Sequence, residues 1–109
     1  MKRIQRATRH AWQRLTRGWD DSATWSLDRH LTATLGAQLI HLAETTHGWP
    51  NQTHESPETW ETALRTNGAK LAYYGHLDFA STPEQWEAAY AGAQEALTWV
   101  AANLRDLWD

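Results

Sequence analysis

The chain has 109 residues, no cysteine and a formal net charge of −3, with 41% apolar and 21% charged side chains. These values fit one globular domain and exclude disulfides and thiolate-bound metal, and the lack of cysteine suits a reducing cytoplasm. No apolar run approaches the ~18 residues of a membrane span, and the basic start lacks the apolar stretch of a secretory signal, so no membrane partner is expected.

The net charge hides a dipole. Residues 1–17 hold six of the ten basic side chains and no acid, whereas residues 18–109 hold the other four against all 13 acids. Charge asymmetry of this kind speaks to partners rather than to fold. On a helical wheel Ile4, Ala7, Ala11, Trp12 and Leu15 share one side of the first segment. Lys2, Arg3, Arg6, Arg9, Arg14 and Arg17 occupy an arc of about 140° on the other, and Gly18 reads as the stop. The chain is therefore divided into a basic amphipathic helix, 1–17, and an acidic helical domain, 18–109. Six cations on one face could meet phosphates, an anionic membrane surface or an acidic protein; the plain alternative is the solvated face of a bundle helix. The thin apolar side, with Ala7 and Ala11, disfavours the membrane. Arg3, Arg6, Arg9, Arg14 and Arg17 are accordingly candidate contacts for a macromolecular partner or a nucleic acid.

In the second segment Asp21, Ser22 or Asp28 could serve as N-cap. Leu27, Leu31, Leu35, Leu39 and Leu42 then form a stripe, and the helix is expected to end before Gly48 and Pro50. The third and fourth segments open alike, with Ser56-Pro57-Glu58-Thr59-Trp60-Glu61 parallel to Thr82-Pro83-Glu84-Gln85-Trp86-Glu87. A hydroxyl caps each, proline takes the first helical position, and glutamate meets the positive end of the dipole. Thr82 and Gln85 also fit a capping box. Trp60, Leu64, Leu71 and Tyr74 mark the apolar face of the third helix, which ends near Gly75. The fourth shows Trp86, Tyr90, Ala93, Leu97, Val100, Leu104 and Leu107 in alternating steps of 4 and 3, the seam of an antiparallel bundle running ~25 residues, or ~37 Å. The expected fold is all-α: a compact antiparallel bundle of three long helices plus the basic N-terminal helix.

Few residues carry a chemical signature. Asp28 falls inside the leucine stripe, where a buried carboxylate must cap, pair or be neutralised, with Arg14 one partner to consider. The six histidines lack metal-ligand spacing, since His41, Glu44 and His47 step off a single helical face. No phosphate loop, nucleophile elbow or catalytic cysteine is present. Neither a cofactor, a metal nor a catalytic residue is therefore assigned. Eight tryptophans is a high count. Most should fill the core, while Trp99, opposite the leucine–valine seam, either receives another helix of the chain or anchors a partner.

The run Gly18-Trp19-Asp20-Asp21-Ser22-Ala23-Thr24-Trp25-Ser26-Leu27-Asp28 resembles a motif of small uncharacterised bacteriophage and prophage proteins, in which a basic stretch precedes it. Gly48-Trp49-Pro50 and Glu58-Thr59-Trp60 follow in the same order, so the resemblance covers roughly residues 14–75. It implies a phage source and a structural motif comprising Trp19, Trp25, Asp28 and Trp49, but no activity. The function expected is that of a non-enzymatic accessory protein in the host bacterial cytoplasm. Its partner would be a host protein or protein–nucleic acid complex, and its action inhibition of a defence or regulatory system. A nucleic-acid-binding module using the basic helix is the alternative. The oligomeric state is left open.

Overall fold

A computed structural model describes residues 26–51 and 53–108, together with Arg9. All regular structure among them is helical: α1 (Leu27–Thr45), α2 (Pro57–Gly75), α3 (Pro83–Ala102) and one 3₁₀ turn, Leu104–Asp106. Lys2, Arg3, Arg6, Arg14, Arg17, Trp19 and Trp25 lie outside the described residues.

The starts of α2 and α3 follow from local hydrogen bonding. The Thr59 amide donates to Ser56 Oγ at 3.2 Å while the Ser56 amide donates to Thr59 Oγ1 at 3.1 Å. At α3 the Gln85 amide donates to Thr82 Oγ1 at 3.2 Å, and the Thr82 amide donates to Gln85 Oε1 at 2.7 Å. Each pair satisfies two amides that helix geometry leaves without partners, and Pro57 and Pro83 have no amide to satisfy. Helix α1 has no such device, because Ser26 sits at the cap position without a side-chain cap bond. Asp28 is in the first turn and is not the cap.

α2 is the central element and packs antiparallel to both neighbours. Its pairing with α1 depends on small residues. A β-carbon placed on Gly36 would lie 2.7 Å from both Ala72 N and Gly68 O, and one on Gly75 only 2.6 Å from Ala33 N. Only glycine lets the two backbones come this close. Consequently the buried face of α1 is Thr32, Gly36, Leu39 and Ala43. The leucine stripe is turned off the α1–α2 axis: Leu39 is buried and Leu35 and Leu42 half-buried, while Leu27 and Leu31 are 56% and 49% exposed. Close backbone approach gains many dispersion contacts, which outweighs the burial of two terminal leucines.

On α3 the expected seam is buried in part. Ala93 and Val100 are buried together with Ala89 and Ala96, while Leu97 is half-buried against the core and Tyr90 and Leu104 are exposed. The helix also stops at Ala102, short of the ~25 residues that the apolar spacing suggests. Asn103 turns the chain there. Its amide donates to the carbonyls of Trp99 and Val100, and its buried side chain donates to the Trp99 carbonyl at 2.9 Å. Leu104 and Leu107 therefore lie beyond the helix. Trp60, Leu64 and Leu71 of α2 supply the large buried volume against these small faces.

Candidate binding cleft

The up-down-up order brings the end of α1, the start of α2 and the end of α3 to one end of the bundle. Two irregular segments meet there. After α1, Thr46 Oγ1 donates to the Gly48 carbonyl at 3.0 Å, and the amides of Thr53 and His54 donate to the Pro50 carbonyl at 3.1 and 3.0 Å. Pro50 also biases Trp49 toward extended backbone, which carries its ring outward. After α3, the 3₁₀ turn following Asn103 brings Asp106 and Trp108 back across the helix ends.

Residues 46–50, Trp60, Asp106 and Trp108 enclose a cleft of about 500 Å³. Trp60 is its floor and is only 1% exposed. The ring packs against Trp99 at 5.5 Å between centroids and against His54, in a T-shaped pair, at 4.9 Å. The walls are different: Trp49 is 41% exposed and Trp108 73%. Among the described residues Asp106 is the only Asp, Glu, Lys or Arg in the lining, and its carboxylate has no hydrogen-bond or ion-pair partner there. Planar apolar walls over a buried floor, with one carboxylate beside them, mark this cleft as the candidate site among the described residues. Among the described residues no three His, Asp or Glu side chains are grouped to hold a metal ion.

The opposite end of the bundle is closed on itself. Arg29 Nη2 donates to the Leu77 carbonyl, and its guanidinium lies 4.5 Å from the Phe79 ring centroid and 5.5 Å from that of Trp86. Arg29 Nε is buried and has no hydrogen-bond partner among the described residues. Beside it Tyr74 Oη donates to Asp28 Oδ2 at 2.5 Å. That bond holds the Asp28 carboxyl below its usual range, against a smaller opposing effect of burial. The same bond raises the Tyr74 phenol. Asp28 is thus an exposed carboxylate tied to α2, not one buried in a leucine stripe. These two residues join the start of α1 to the α2–α3 corner.

The residues singled out from sequence are dispersed. Trp99 packs against the core behind Trp60, so its ring supports the cleft floor. Trp49, assigned to a structural motif, stands at the cleft mouth. Arg9 is exposed on helical backbone. Sequence reasoning missed Asp106 and Trp108, because an uninterrupted helix through Leu107 hides the turn at Asn103. It also missed Arg29, whose aromatic partners are about 50 residues away. No protein family, curated protein or solved structure matches this chain. No helix among the described residues is long and apolar enough to cross a membrane.

Proposed function

We propose that the chain is a non-enzymatic accessory protein of a bacteriophage or mobile element that binds a host protein in the host cytoplasm through the tryptophan cleft. The observation that carries this reading is the exposure of Trp49 and Trp108 over a rigid, buried Trp60. Indoles left in water cost hydration free energy that a partner's burial recovers, and tryptophan is enriched among residues that dominate binding. The phage source rests on the Gly18–Asp28 motif, and inhibition of a host defence or regulatory system is the role that fits a small binding protein of that source. A second reading, nucleic-acid binding by residues 1–17, is favoured by six cations without an acid.

Photo-crosslinking in host cells separates the two. A crosslinker replacing Trp49 or Trp108 is expected to trap one host protein, and Trp49→Ala/Trp108→Ala to abolish its recovery. Reversal of Arg6, Arg9 and Arg17 to glutamate is expected to leave that recovery intact. Loss only on arm reversal, with sensitivity to nuclease, would replace the first reading with the second. No specific adduct from either tryptophan position would remove the cleft as a protein-binding site.

A further inference from the structure

We infer that the cleft accepts a cationic side chain, arginine or lysine, projecting from the bound protein segment, an assignment that rests on the reading of the cleft as a protein-binding site. The walls and the acid point to the same ligand chemistry. Indole faces carry negative quadrupole potential and attract a guanidinium or ammonium within about 6 Å. Asp106, in the same lining and without a partner among the described residues, supplies the counter-charge. Arg105 next to it is exposed and makes no ion pair with it.

Other occupants fail on sign or on desolvation. A phosphate or carboxylate would meet Asp106, and among the described residues of the lining no lysine or arginine offsets the repulsion. A neutral apolar side chain would strip water from that carboxylate and return no donor. A cationic side chain satisfies it while its methylenes cover the indoles. The cleft, about 500 Å³, has room for a long side chain and the adjoining backbone. The formal net charge of −3 acts in the same direction. Arginine is favoured over lysine, because a planar guanidinium can stack on an indole and donate to a carboxylate together.

The test uses the ¹⁵N-labelled full chain at pH 8 and follows the indole N–H resonances. The probes are blocked tri-arginine, tri-lysine and tri-citrulline peptides, citrulline being the neutral isostere of arginine. Tri-arginine is expected to shift Trp49 and Trp108 but not Trp86 at the other end, with citrulline at least tenfold weaker. Asp106→Asn, with helicity checked by circular dichroism, is expected to weaken tri-arginine at least fivefold. Glu84→Gln, the same charge change at the other end, is expected to cost less than twofold. Equal binding of citrulline and arginine, or undiminished binding to Asp106→Asn, would overturn the cationic assignment. Such a result leaves protein binding at the cleft to the crosslinking experiment, so the two failures are distinct. If Arg6, Arg9 and Arg17 reversed to glutamate shifts the Trp49 and Trp108 resonances without peptide, the chain's own cations fill the cleft, which would also overturn the assignment to a partner. Stronger binding of tri-lysine than tri-arginine would keep the cation and reverse the preference.

Discussion

Tyr74 and Asp28 set each other's ionisation. The phenol's hydrogen bond lowers the Asp28 carboxyl and raises the Tyr74 hydroxyl from their ordinary values near ~4 and ~10. A lowered folded-state carboxyl stabilises above its unfolded pKa, and that contribution is lost as pH falls through the folded value. A raised phenol stabilises below its unfolded pKa and loses the contribution as pH rises through the folded value. The pair therefore supports the fold across the interval between roughly pH 4 and pH 10 and fails at both ends. Tyr74→Phe is expected to flatten both limbs of the stability–pH profile in urea titrations from pH 2 to 11. Because Asp28 is exposed, the loss near neutrality is expected to be small. Unchanged acid and alkaline limbs would mean that the bond contributes nothing in solution.

At the scale of elements, glycines in two helices should respond with opposite signs. Alanine has an intrinsic helix advantage of about 1 kcal/mol over glycine. At Gly92 a new β-carbon meets, among the described residues, only Lys70 side-chain carbons, at 3.9 and 4.0 Å, so Gly92→Ala is expected to stabilise by about 0.5–1 kcal/mol. At Gly36 the new carbon meets backbone at 2.7 Å, which a side-chain rotation cannot relieve. Overpacking of this kind costs about 1–3 kcal/mol, so Gly36→Ala is expected to be destabilising on balance. Thermal melts of the two variants read the difference directly; a stabilised Gly36→Ala would refute close α1–α2 packing. The caps offer a second check. Ser56→Ala and Thr82→Ala each remove one hydrogen bond to a helix-start amide and should cost about 1 kcal/mol apiece.

For the whole molecule, helices of 19, 19 and 20 residues already account for more than half of the 109-residue chain. Far-UV circular dichroism should show that helicity, with a single cooperative melting transition. Leu64→Ala is the large-scale perturbation. Leu64 is completely buried in the shared core, so its truncation should cost about 2–5 kcal/mol and lower the melting temperature of the whole transition. If only part of the signal shifts, the three helices do not fold as one unit. Charge segregation also acts at this scale. Were residues 1–17 to contact duplex DNA, three or four phosphate contacts would give a log–log salt slope of about −3 to −4. A slope near zero would limit the basic segment to a role without phosphate contacts.

Sequence alone determined the features governed by local chemistry. Ser56-Pro57 and Thr82-Pro83 place two helix starts because an amide finds its cap within three residues, whatever the rest of the chain does. Gly75 closes α2 where apolar periodicity ends, and the burial of Trp60, Leu64 and Leu71 follows from that period. Periodicity could not decide which of two competing faces of α1 turns inward. Leucines mark one face and small residues the other, and Gly36, Gly68 and Gly75 settled the choice only once the α1 and α2 backbones met at close range. Nor could it place the cleft. Trp49, Trp60, Asp106 and Trp108 come from three separate parts of the chain, and the turn at Asn103 depends on a helix end that apolar spacing runs straight through. Their juxtaposition is a property of antiparallel packing, which brings the end of α1, the start of α2 and the end of α3 to one place.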